Sequence, residues 1–251
     1  MLTYRNNKRD FQNSASTVAI LPVGAVEQHG SHLPVGTDAM IAEAFAKRLG
    51  AILDAYVLPV LSIASSIEHR ESKGTVYLKA ETLGLVIRDI CESLHYSGYR
   101  KLILLNGHGG NWILKPTIRQ LIRDFQDKGE PMEIVLIHNS VVVRRQHEVT
   151  EHVAHDLHAG EKETSIMMHL HPELVSDYVP QRQATTVPQD YMDYFDVDEI
   201  TEDGYWGYPE AATPEKGEKL MQLMVECALE YLRELDAARE AVRQRKSAKI
   251  T

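Results

Sequence analysis

Apolar residues recur along the chain in two rhythms. In "STVAILPVGA" (16–25) they form a β-branched run that stops at Pro and Gly, which predicts a buried strand. From Asp38, "DAMIAEAFAKRLG" spaces them at helical intervals, predicting a helix N-capped by Asp38 and ended by Gly50. "YVLPVLSI" (56–63) predicts a second strand, and "AETLGLVIRDICESLHYSGY" (80–99) an amphipathic helix stopping at Gly98. "KLILLNGHGGN" (101–111) predicts a strand that runs into a glycine-rich turn, followed by a helix in residues 112–129. "MEIVLIHNS" (132–140) predicts another strand, and "AGEKETSIMMHLHPELV" (159–175) another helix. Residues 176–214, rich in Tyr, Asp and Pro, predict irregular structure, and a long helix over roughly 215–245 closes the chain.

Strands that alternate with helices predict crossover connections, and hence an α/β fold: a mainly parallel sheet with helices on both faces. With no internal repeat and no Gly/Ser linker, one domain over 1–251 is expected. Open sheets of this kind bind ligands beyond the carboxyl ends of their strands. "GAVEQHGSH" and "NGHGGN" both follow strands directly, so both loops are expected at that edge.

Charge narrows the partners. The 27 Lys and Arg against 36 Asp and Glu give −9, which argues against nucleic acid or an anionic membrane as partner. The two cysteines, Cys91 and Cys227, lie in helical patterns and form no CxxC pair, which fits a reducing cytoplasm better than a disulfide framework. No stretch has the length or apolarity of a membrane span.

"AVEQHGSHLPVGTDAM" (25–40) crowds Glu27, His29, His32 and Asp38 into one loop. His108 sits among Gly107, Gly109 and Gly110, which permit a tight turn. Carboxylates mixed with imidazoles suit Zn²⁺, Mn²⁺ or Fe²⁺ better than Ca²⁺ or a thiolate-seeking metal. Taken singly, each residue has an ordinary reading: a hydrogen-bonded loop histidine, a helix cap. Brought to one edge, the set reads as a metal cage. In "HDLHAGEKET", His158 precedes a helix whose first turn holds Glu161 and Glu163, ordinary dipole partners unless one faces the cage. His147, His152 and His155 read as solvated, and His169 and His171 as partners of a helix C-terminus. Glu68, His69 and Arg70 border the same crevice and read chiefly as a polar turn, with His69 the candidate for contact with substrate. The Tyr-rich stretch 189–208 reads as a lid or subunit contact, with Trp206 the residue to follow.

"ILPVGAVEQHGSHLPVGTD", "LLNGHGGN" and "HAGEKETSIMM", in that order, resemble the creatininase (creatinine amidohydrolase) family, and "GYWGYPEAATPEKGEKL" resembles the region before its last helix. The resemblance covers most of the chain. It implies an α/β sandwich, a hexamer of identical chains, and two divalent ions per subunit. It places Glu27, His29, Asp38 and His108 as ligands, with Asp38 bridging, and His158 as the catalytic histidine. Two departures stand out. The family's "NGHYEN" carries Glu where this chain has Gly110, so Glu161 is expected as the replacement ligand, with a part in catalysis. The aromatic walls that hold creatinine are replaced by Gly109 and Ala154, which makes creatinine a poor substrate and Gly109 part of an open substrate site.

The expected activity is therefore hydrolysis of a C–N amide bond in a cyclic amide, formamide or peptide-like molecule by metal-activated water, with His158 protonating the leaving nitrogen. The alternatives are opening of a cyclic keto-inositol by C–C cleavage, or an inactive ligand-binding scaffold. No GxSxG elbow offers a rival nucleophile.

Overall fold

A computed structural model of the protein describes residues 1–178, 180 and 187–248. Five parallel strands form one sheet in the order β1-β3-β2-β4-β5: β1 (Leu2–Thr3), β2 (Val18–Val23), β3 (Tyr56–Val57), β4 (Lys101–Asn106) and β5 (Glu133–Ile137). The helices are α1 (Lys8–Gln12), α2 (Thr37–Leu53), α3 (Ala80–Tyr96), α4 (Leu114–Asp127), α5 (Asn139–Gln146), α6 (Glu161–Leu170), α7 (Val197–Ile200) and α8 (Pro214–Ala248).

The period-two alternation of strand side chains builds two separate cores. Ile20, Ile103, Leu105, Val135 and Ile137 point to one face and meet Phe45 and Leu49 of α2, Ile166 of α6 and Leu220 and Met224 of α8. Ala19, Leu21, Leu102, Leu104 and Ile134 point to the other, against Leu83 and Ile87 of α3 and Ile118 and Phe125 of α4. That explains why Leu102 to Leu105 are apolar without a break: both faces of β4 are covered. The result is the expected three-layer α/β arrangement.

Local departures have local causes. The expected strand 56–63 ends after Val57, ahead of Pro59, which has no N–H to add to a ladder; beyond it Leu58 N–H still donates to the Ile20 carbonyl (2.9 Å) and Leu61 pairs with Val23. Asp38 is not the cap of α2: Gly36 holds that place, and Asp38 lies in the first turn. Gly50 does not end α2 either. A Cβ there would lie 2.3 Å from Val57 Cγ2, so it is a close-packing glycine, and the helix runs on to a left-handed residue, Asp54 (φ 48°). Sequence reading missed β1, α1, α5 and α7, all short. No described helix is long and apolar enough to cross a membrane. Cys91 and Cys227 are both free and buried.

Candidate active site

Three loops meet at the carboxyl edge of β2 and β4. The loop after β2 carries Glu27 and His29, and the start of α2 carries Asp38. Gly24 permits this approach, since a Cβ there would stand 2.5 Å from Ala39 Cα. The "NGHGGN" turn after β4 is shaped by its asparagines. Asn106 Nδ2 donates to the His108 carbonyl (2.8 Å), and Asn111 Nδ2 donates to Asn106 Oδ1 (2.9 Å). Gly107 lets this turn run close to α2, since a Cβ there would stand 3.1 Å from the Asp38 carbonyl.

Asp38 sits at the centre. Its Oδ1 is 3.3 Å from His29 Nε2, and its Oδ2 is 3.1 Å from His108 Nδ1. Glu27 Oε1 lies 3.1 Å from the same His108 nitrogen, and Glu163 Oε2 lies 3.7 Å from His29 Nε2. The two ends of one carboxylate thus face two different imidazoles. His29 donates from Nδ1 to the Glu27 carbonyl (3.2 Å), which turns Nε2 towards the acids.

His158 lies between His29 and His69, with ring centroids 4.3 Å and 4.5 Å away. Its Nε2–H donates to the Gln28 carbonyl (2.8 Å), leaving Nδ1 directed at Glu27 Oε1, 3.7 Å off. Backbone hydrogen bonds between His158 and Trp206 hold this segment, so the buried Trp206 supports the site from behind. Gln28 Nε2 donates to the Gly204 carbonyl (2.6 Å) and to His69 Nδ1 (2.8 Å). His69 is buried, and its other nitrogen faces Glu27 at 3.5 Å. The segment 67–69 is therefore not a solvated turn at this residue.

Glu161 does not join the cluster. As the first residue of α6 it accepts from Lys216 Nζ (2.6 Å) and from the Glu151 N–H (3.3 Å). Residues two apart on a helix do not share a face, so only one of the two glutamates can look inward. That one is Glu163, whose Oε2 accepts from Ala159 N–H (2.8 Å) and whose Oε1 lies 3.3 Å from Lys162 Nζ. Asp156 binds the free N–H groups of Glu161 (2.6 Å) and Lys162 (2.9 Å), anchoring the start of α6. His32, from the crowded loop, is a strut. Its Nε2 meets the Ala159 carbonyl (3.0 Å) and Thr164 Oγ1 (3.1 Å). Gly109 is exposed, with open space where a side chain would begin, and Ala154 is exposed too. Gln28, Lys162, Asn106 and Asn111 escaped sequence reading, because an amide or a lone lysine carries no spacing signature.

The electrostatics are those of a concentrated donor set. Burial pushes the Glu27 carboxyl up to about 7, against the pull of His108. Burial opposes charge on His29, yet Asp38 outweighs it and raises the imidazole to about 9. Asp38, also buried, is held well below the usual carboxylate range by His29 and His108. Burial and the adjacent His29 press His158 down to about 4, so it is neutral near pH 7.

Both oxygens of Glu27, His29 Nε2, Asp38 Oδ2 and His108 Nε2 are buried without a hydrogen-bond partner. Buried polar atoms are rarely left so. Within the described residues, Glu27, His29 and Asp38 converge tightly enough to hold one ion, as do His29, His158 and Glu163. Oxygen and imidazole donors without thiolate fit a divalent transition metal.

A family model described as creatinine amidohydrolase matches residues 5–232. The chain belongs to the creatininase family. It is 30% identical to the creatinine amidohydrolase of Pseudomonas putida over 233 residues, covering 86% of this chain and 89% of that protein. It is 29% identical to a mycofactocin precursor peptide peptidase of Mycobacterium tuberculosis, covering 85% and 83%. A solved mutant creatininase of Zn-Zn type superposes with a TM-score of 0.80 at 26% identity, over 92% of this chain and 97% of that one. The chain is thus a metal-dependent amidohydrolase of the creatininase family.

Proposed function

We propose that the cluster holds two divalent ions, zinc, manganese or iron, and that the enzyme hydrolyses the C–N bond of a cyclic amide, formamide or peptide-like substrate. The observation that carries this is Asp38, whose two oxygens face His29 on one side and His108 on the other. Glu27 and His108 would hold the ion at one end and His29 and Glu163 the ion at the other, with Asp38 shared. Bound there, the ions would supply a hydroxide nucleophile at neutral pH and polarise the carbonyl.

The remaining work falls to the chain. The Gln28 carbonyl fixes His158 with its proton on Nε2, so Nδ1 is free to receive a proton at the cluster. That proton then passes to the leaving nitrogen, the acid role expected of His158. Lys162 and the Ala159 N–H hold Glu163 in place. At the rim, Gly109 and Ala154 leave the substrate side without aromatic walls, which favours peptide-like or extended amides over a flat ring. The reading takes 1–251 as one domain working in the cytoplasm as a homo-oligomer, a hexamer.

Elemental analysis of purified protein is the first test, followed by a panel of cyclic amides, formamides and short peptides with and without chelator. About two ions per chain and chelator-sensitive amide hydrolysis support the reading. No bound metal, and none taken up from Zn²⁺, Mn²⁺ or Fe²⁺, overturns it.

A further inference from the structure

We propose that Glu68 is a metal ligand, closing the His108 end of the ion pair from a loop that carries none of the other ligands. The proposal rests on the two-ion reading above. Glu68 lies in the 3₁₀ turn Ile67–His69, after β3. Its Oε1 is 3.1 Å from His108 Nε2, and its side chain is only 20% exposed. Among the described residues no lysine or arginine pairs with it. A carboxylate turned inward without a lysine or arginine partner costs desolvation that a metal would offset.

Three observations favour ligation over a mere supporting contact. Glu27, Glu68 and His108 each offer a donor atom within 4.8 Å of the others. His108 Nε2 is buried with no aligned hydrogen-bond partner, although Glu68 Oε1 lies only 3.1 Å away. The carboxylate also fills the space above Gly110, where a Cβ would lie 2.1 Å from Glu68 Oε1 and 2.5 Å from His108 Nε2. Gly110 therefore leaves that place to the side chain arriving from residue 68.

The turn is held for this purpose. Ser65 N–H donates to Asn111 Oδ1 (3.0 Å), joining it to the His108 loop. On its outer side Arg70 pairs with Asp196 (2.8 Å) and Ser72 Oγ donates to Asp198 (2.7 Å). Glu68 is thus delivered between two tied points.

The test is metal stoichiometry rather than turnover. Wild type, Glu68→Ala and Glu68→Gln are loaded with Zn²⁺, passed through metal-free gel filtration and assayed by elemental analysis, with circular dichroism to confirm folding. The expected result is about two ions in the wild type and one in each variant, with the second ion weakened more than about 100-fold. Loss of an outer partner alone weakens metal by roughly 10–100-fold. Retention of the second ion in Glu68→Asp, which keeps a carboxylate on the same loop, supports ligation. Two ions retained in both Glu68→Ala and Glu68→Gln overturns the proposal while leaving the two-ion reading intact. No ion in the wild type overturns both.

Discussion

Asp38 and His158 touch at the same cluster, yet their roles separate under substitution. Asp38→Ala removes the group between the two imidazoles, and elemental analysis is expected to find both ions lost with activity. His158→Ala is expected to retain metal while kcat falls by about 10²–10⁴, the range for loss of a positioned proton carrier. Full activity in that variant would refute the proton role. The glutamates of α6 part in the same way. Glu163→Gln is expected to lose the ion at the His29 end. Glu161→Gln is expected to keep both ions and to lower Tm, because Lys216 loses the buried charge it pairs with. Their order in "HAGEKET" could not reveal this, since both fit a first helical turn and only the direction each faces separates them.

The helices matter through what they hold still. Glu163 is only as well placed as α6, and α6 packs along α8 through Gly217, where a Cβ would lie 1.9 Å from the Ser165 carbonyl. Gly217→Ala is therefore expected to destabilise the fold by roughly 1–3 kcal/mol in chemical denaturation, the usual cost of overpacking. Further along, Arg239 of α8 and Lys101 of β4 (2.7 Å) both reach Glu133 on β5, holding its carboxyl below the ordinary range. Because the folded state lowers this pKa, the stabilisation is present above the unfolded value near 4.3 and disappears as pH falls through the folded one. Glu133→Gln is expected to lower stability by about 0.5–1 kcal/mol at pH 7, given its partial exposure, and to match wild type at acid extremes. Equal loss at both pH values would rule out the ionic origin.

Across the whole molecule, binding at the cluster ties together three loops and α6, so metal is expected to stabilise the fold as well as activate it. At 100-fold excess over Kd, linkage alone gives about 2.7 kcal/mol, read as a rise in Tm over chelator-treated protein. An unchanged Tm would mean that the ions do not bind the folded state selectively. Light scattering tests the hexamer directly, against a chain mass of 28.4 kDa.

Sequence alone determined the three-layer plan, because unbroken apolar strands and amphipathic helices admit few other arrangements. It also brought Glu27, His29, Asp38 and His108 to one edge, because the loops that carry them follow strands whose ends must lie there. Tertiary structure decided what depends on direction and on distant neighbours: the inward turn of Glu163, the Lys216 partner of Glu161, the strut made by His32, and the arrival of Glu68 above Gly110. Periodicity records which face of an element is apolar. It does not record which polar side chain, two residues or forty away, finally occupies a given point in space.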